Sequence, residues 1–381
     1  MRHLFPAAVL LITAANASAA TLAVQGRANA TPSVAAANEV VAVAWGATNA
    51  AGLTDVFAAV SRNGGRTFSE GVRVSDERHA SLGAEQPPRV SLVPRAGHDP
   101  EVVVVWTAKS NDGSRLLVAR SWDGGTSFAR ATPLPGSEAG GNRGWESTAV
   151  DRDGHVVAVW LDHREMSSSG GASMHHEGHD HTAAGTAKSD GAARAQASKL
   201  YFTTLDSASG SHAITGGVCY CCKTAVATGP DGAIYAAWRH VYAGNLRDIA
   251  FTMSRDGGRT FTTPTRVSND GWILDGCPEN GPALAAGADG AVHAVWPTLI
   301  GSGRQTVNRC SRCFMRRAGT ADRSLPASAS RRKERLAIRS WQQHPPASSP
   351  HGTSRQPTAH DAWSWPGSPG AQPARASHAR L

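Results

Sequence analysis

At 381 residues the chain is long enough for one large core or two ordinary ones. Its formal charge of +8 is badly placed for gripping nucleic acid. From Arg304 onward there are 14 Lys+Arg against 3 Asp+Glu, a balance of +11, which leaves −3 for residues 1–303. That body has no basic patch interleaved with aromatics, so its composition argues against a nucleic-acid partner.

The chain opens with MRHLFPAAVLLITAANASAA. Arg2 and His3 start it, Ala7–Ala15 is apolar, and Ala17-Ser18-Ala19 is a small-residue cleavage site. Residues 1–20 read as a signal peptide cleaved near Ala19/Ala20, so the mature protein is expected to be periplasmic or secreted. No later apolar run is long enough for a membrane span.

Beyond residue 20 the pattern is that of short strands. EVVAVAW (39–45), EVVVVW (101–106), HVVAVW (155–160), AIYAAW (233–238) and AVHAVW (291–296) each end on Trp. An Asp-Gly pair precedes three of them, at Asp153-Gly154, Asp231-Gly232 and Asp289-Gly290. Asp-Gly between apolar runs predicts a hairpin, since both residues tolerate φ > 0. SVAAA (33–37), RVSLV (89–93), STAV (147–150), TAVA (224–227) and ALAA (283–286) supply a strand before each turn. A third strand follows in DVFAAVS (55–61), RLLVARS (115–121), KLYFTTL (199–205) and DIAFTMS (248–254).

Next comes a box written three times: SRNGGRTF (61–68), SWDGGTSF (121–128) and SRDGGRTF (254–261). Its glycines suit backbone angles that a Cβ resists, and its Asp or Asn can cap the turn with its own side chain. A fourth strand is expected in TFSEGVRVS (67–75) and TFTTPTRVS (260–268). Four antiparallel strands, repeated, predict an all-β propeller.

Over roughly residues 25–303 these boxes and strands resemble the Asp-box (BNR) repeat proteins of the sialidase superfamily. The resemblance implies a six-bladed ring, of which about four and a half blades precede an aberrant tail, and a propeller domain over 21–303. It also implies that the box-bearing turns are scaffold and that the active face is the opposite one. That family clamps a substrate carboxylate with three arginines and pairs a Tyr nucleophile with Glu and an Asp acid/base. The implied candidates are Arg27, Arg143, Arg164 and Arg239 for substrate binding and Asp162, Glu146 and Tyr242 for catalysis, with Glu165, Asp275 and Glu279 as further carboxylates. An exo-glycosidase acting on glycans needs no cofactor for such a reaction.

The residues themselves also point to metal chemistry. An insertion at 166–198 holds MHHEGHDH, whose His175, His176, His179 and His181 suit copper or zinc. Its Ser/Gly/Ala flanks predict a flexible loop. GVCYCCK places Cys219, Cys221 and Cys222 together, and Cys277 follows in the next matching loop. Two disulfides among these four, or a thiolate metal site with His163 or His240, both fit an exported protein. The chain therefore carries three readings: a sialidase-like glycosidase, a non-catalytic copper- or zinc-binding propeller, and a propeller that binds glycan or protein. After Ile300 the strand pattern stops, and residues 304–381 read as a disordered basic tail, written in a shifted reading frame or else a genuine tail that binds anionic surfaces.

Overall fold

The computed structural model describes residues 21–76, 79–166, 190–206, 210–274 and 280–300, with short pieces at 310–313, 315–316 and 379–380. The signal-peptide segment, the His-rich stretch, Cys277 and nearly all of the tail lie outside these residues. The well-described blades belong to one compact unit, residues 1–318 with 376–381.

Four sheets of four antiparallel strands follow one another along the chain. Blade 1 is β1 (Ala28–Ala37), β2 (Val40–Thr48), β3 (Thr54–Ser61) and β4 (Val72–Arg73). Blade 2 is β5 (Arg89–Arg95), β6 (His98–Ser110), β7 (Gly113–Ser121) and β8 (Thr132–Pro133). Blade 3 is β9 (Arg143–Val150), β10 (Val156–Asp162), β11 (Lys199–Thr204) and β12 (His212–Thr215). Blade 4 is β13 (Ala225–Thr228), β14 (Ile234–Tyr242), β15 (Leu246–Ser254) and β16 (Thr265–Arg266). A fifth unit begins with β17 (Ala283–Ala286) paired to β18 (Val292–Val295). The first strands of successive blades pack side by side: β1 on β5, β5 on β9, β9 on β13 and β13 on β17. That succession of antiparallel blades is a β-propeller.

The blades stick because their middle strands are apolar on both faces. Val102–Trp106 and Val156–Leu161 are wholly buried. Blade 1 shares one core with blade 2, and blade 3 shares another with blade 4. The repeated Trp45, Trp106, Trp160, Trp238 and Trp296 are all buried. Most spend the indole N–H on a nearby acceptor: Trp45 on Asn29, Trp160 on Asp162, Trp238 on His240 and Trp296 on Asp270.

Four details differ from the sequence reading. The fourth strand is only two residues long in blades 1, 2 and 4; just after each box the chain meets the third strand through a single backbone bond, Ser69 N–H to Val60 O, Ala129 N–H to Arg120 O and Thr262 N–H to Met253 O. In the Asp-Gly turns only the glycine takes positive φ (Gly154 +86°, Gly232 +78°, Gly290 +75°), while the aspartate acts as a cap, Asp231 Oδ1 accepting from Ala233 N–H and Asp289 Oδ1 from Ala291 N–H. The end of the insertion is helical: α1 (Asp190–Ala197) buries Ala195 against the cysteines. Pairing also continues past Ile300, since β19 (Pro297–Ile300) runs antiparallel to β20 (Cys310–Cys313).

Candidate functional site

The box turns lie together with the β1–β2-type turns at one end of the blades. Each box repeats one hydrogen-bond pattern. The Ser hydroxyl accepts from the second glycine's N–H: Ser61 from Gly65 at 2.9 Å, Ser121 from Gly125 at 2.7 Å, Ser254 from Gly258 at 2.9 Å. The Asn or Asp then caps the N–H four residues on: Asn63 to Thr67, Asp123 to Ser127, Asp256 to Thr260, each at 2.9 Å. Hydrogen bonds from the Ser127 and Thr260 side chains, then from the backbone, push the Asp123 and Asp256 carboxyls far below the usual range. A Cβ on Gly125 would overlap Val60, and one on Gly258 would overlap Phe202, each in the third strand of the preceding blade. The boxes are therefore structural wedges. A cleft of about 890 Å³ lies on this face, where blade 3 has no Gly-Gly box. Its acids are already engaged: Asp256 in its box, Asp231 with Arg255 at 3.0 Å and Asp206 with Arg120 at 2.6 Å.

The other end carries the predicted site residues. Asp55 begins β3, with Arg27 at 2.6 Å and Arg73 at 2.7 Å. Burial pushes the Asp55 carboxyl up, but the hydrogen bonds from both arginines outweigh it and hold it below its ordinary value. Blade 4 repeats the Arg73 half of this arrangement with Asp248 and Arg266, and Asp248 has no second arginine among the described residues. Ser75 and Ser268 likewise each cap a backbone N–H of the third strand. The recurrence marks Arg73–Asp55 and Arg266–Asp248 as part of the blade design, whereas Arg27 is particular to blade 1.

At the start of blade 3 the chain does something unusual. Two residues, Trp145 and Glu146, stand opposite Trp160, and the register shifts there. Trp145 takes φ +54°, a left-handed conformation that bulky residues seldom adopt. The bulge brings Arg143, Asp162 and Arg164 together. Asp162 is 1% exposed and accepts five hydrogen bonds. They come from Arg143 Nε (3.1 Å), Trp160 Nε1 (3.1 Å), and Arg164 N, Nε and Nη2 (3.0, 2.8 and 2.7 Å). Burial opposes its charge, yet the Arg164 bonds and the Arg143 charge keep its carboxyl below the usual value. Arg143 spends its remaining donors on the carbonyls of Gly140, Gly141 and Ser114. Arg164 is different. Its Nε and Nη2 are fixed on Asp162 and Gly136 O, its Cζ lies over the Tyr201 ring 4.4 Å from the centroid, and its side chain is 27% exposed.

Glu146 is fully buried and its carboxyl is pushed up by burial, against the nearby Arg89 charge. Its Oε2 accepts from Thr107 at 3.0 Å, and Oε1 has no partner among the described residues. Burial pushes His163 down to about 4.

Arg239 is bound to the carbonyls of Asn280, Arg247 and Pro297. Tyr242 stacks near His240, ring centroids 4.5 Å apart, and burial pushes its phenol up to about 12. That direction is opposite to the one that activates a phenol nucleophile. The predicted residues thus fall into separate groups. Arg143, Asp162 and Arg164 form one cluster, Arg27 lies in blade 1, and Tyr242 and Arg239 lie in blade 4.

Next to them is a cluster of sulfurs. Cys219, Cys221 and Cys222 place their Sγ atoms within 4.8 Å of one another, all buried. Cys219 and Cys222 are free thiols, and Cys221 is disulfide-bonded. Val218 bridges His240, and Cys219 N–H donates to Arg239 O at 2.9 Å, so the segment is pinned to β14. Arg247 Nη1 donates to Cys219 Sγ at 3.0 Å. Arg247 was not visible as a site residue in the sequence. The signal was there: Asp248 matches Asp55, so Arg247 occupies the place of Thr54 in blade 1.

No protein-family model matches the chain, and no curated protein sequence matches it. Solved structures do. The chain is similar to the α-L-arabinofuranosidase Arb93A from Fusarium graminearum (14% identity, 72% of this chain and 78% of that one, TM-score 0.46). It is also similar to the α-L-arabinanase of Penicillium chrysogenum (11%, 74% and 80%, 0.45) and the NanB sialidase from Streptococcus pneumoniae (9%, 80% and 60%, 0.45). No helix among the described residues is long and apolar enough to cross a membrane.

Proposed function

We propose that the chain is an exported, sialidase-like propeller that takes a glycan at the face opposite the boxes and acts on it as an exo-glycosidase. The three box turns, with their repeated hydrogen-bond pattern, support the sialidase-like reading. Arg164 carries the functional one. Asp162 fixes its inner edge, Tyr201 supports its plane, and its side chain still reaches solvent. A guanidinium held in this way is preorganised for a carboxylate, because little rotamer freedom is lost on binding. In this reading Arg143 and Arg239 shape the mouth from beneath, while Arg27 and Arg164 meet the ligand.

The test is hydrolysis of a fluorogenic sialic-acid substrate, with a neutral aryl glycoside beside it. Turnover of the acidic substrate, lost in Arg164→Ala with the melting temperature preserved, supports the proposal. Binding of sialylated glycans without turnover reduces it to a glycan-binding propeller. Neither turnover nor binding by folded wild-type protein overturns it.

A further inference from the structure

The sulfur cluster is not used by the reaction above, and its geometry has its own chemistry. Cys219 and Cys222 stand in C-x-x-C spacing with Sγ atoms 3.2 Å apart, and Cys219 Sγ is 3.7 Å from Cys221 Sγ. Cys219 and Cys222 are 0% and 2% exposed. Arg247, also 0% exposed, donates to Cys219 Sγ, and its Nη2 has no partner among the described residues. A buried cation with a spare donor stabilises an anion beside it. The nearest atom able to carry that charge is the Cys219 sulfur.

We propose that Cys219 and Cys222 are a redox-active dithiol, closed to a disulfide by thiol–disulfide exchange through Cys221. The Cys219 thiolate attacks the Cys221 sulfur, which breaks the Cys221 disulfide and releases its partner cysteine as a thiolate. Cys222 gives up a proton, which balances the charge of the released thiolate, and attacks the Cys219 sulfur. A Cys219–Cys222 disulfide forms and Cys221 leaves as a thiolate, which takes up the proton lost by Cys219. Two thiols are oxidised and one disulfide is reduced, so electrons and protons balance. The relay gives a buried pair a route for oxidising equivalents that needs no direct access by an oxidant. An external small disulfide, here oxidised glutathione, resets the Cys221 pair by the same exchange.

The proton arrangement agrees with the geometry. The Cys222 thiol donates to Cys219, and this bond, aided by Arg247, lowers the Cys219 pKa, whereas burial raises that of Cys222. One sulfur is thus the nucleophile and the other holds the proton. A copper or zinc centre fits less well. Cys221 is already oxidised, and Arg247 occupies the charge-neutralising place of an ion.

The test uses the full mature chain in glutathione buffers of stepped ratio. Samples are quenched in acid, alkylated after denaturation and mapped by mass spectrometry. The expected result is that Cys219 and Cys222 lose label together as the buffer becomes oxidising, with their shared peptide 2 Da lighter. Cys221→Ser is expected to slow this closure at least tenfold, and Arg247→Gln severalfold. Full labelling of both thiols at every ratio would overturn the proposal. So would protection that requires added copper or zinc and disappears with a chelator, which assigns a metal site instead. Closure at the wild-type rate in Cys221→Ser would overturn the relay. Wild-type labelling alone decides the dithiol if a variant fails to fold.

Discussion

Replacing Asp162 by Asn tests whether the cluster at the start of blade 3 is held by charge. Oδ2 accepts from Arg143 Nε, Trp160 Nε1 and Arg164 Nη2, and Oδ1 from Arg164 N and Nε. Whichever way an amide is turned, its NH₂ confronts at least two of these donors. The charge that neutralises buried Arg143 is lost as well. Removing one partner of a buried pair costs about 3–5 kcal/mol. At about 2 °C per kcal/mol for a domain of this size, the melting temperature is expected to fall by about 6–10 °C. Thermal unfolding followed by near-ultraviolet circular dichroism reads this directly, because Trp160 sits in the cluster. A melting temperature within about 1 °C of wild type would refute the reasoning. If hydrolysis were lost at the same time, Asp162 would be a reacting group and not a scaffold anchor.

The box glycines give a paired test. Gly257→Ala meets only the cost of positive φ, about 1 kcal/mol, whereas Gly258→Ala also drives a methyl into Phe202 and is expected to cost at least about 2 kcal/mol more by urea unfolding. Stability should also depend on pH through His163. Its folded pKa is about 4 against an ordinary 6.5, so the unfolded chain takes the proton first. Stability is then level above pH 6.5 and falls by about 3 kcal/mol down to pH 4, and His163→Gln flattens that window. For Asp123 and Asp256 the folded pKa lies below the unfolded one. Their contribution is present above the ordinary carboxylate range and lost only in stronger acid, so Asp256→Asn should leave urea unfolding at pH 3–7 less pH-dependent than wild type.

The blades were legible because each is specified locally. An apolar run ending on Trp, an Asp-Gly turn and a Ser-x-Asp-Gly-Gly box are contiguous in the chain, and each forms within a few residues of itself. The site was only half legible. Arg143, Asp162 and Arg164 were named from the loops that hold them, but their union depends on a bulge at Trp145 that no periodicity announces. The fate of the arginines was hidden for a related reason. Arg143 and Arg239 read as ligands because they are charged, yet their donors are taken by backbone carbonyls brought in from distant loops. Arg247 was missed because it stands in a strand whose pattern already looked explained.

The contact between the second box glycine of blades 2 and 4 and the blade before it has a geometric consequence. Gly125 seats Val60 of blade 1, and Gly258 seats Phe202 of blade 3. A propeller closes only if every blade is rotated by the same fraction of a full circle about the central axis. The separation of two blades at one rim sets that rotation, as the taper of a stone sets the curve of an arch. At that rim the absent side chain is the dimension that matters. One hydrogen in place of a methyl lets neighbours converge, so the angular pitch of the ring is written in its smallest residue.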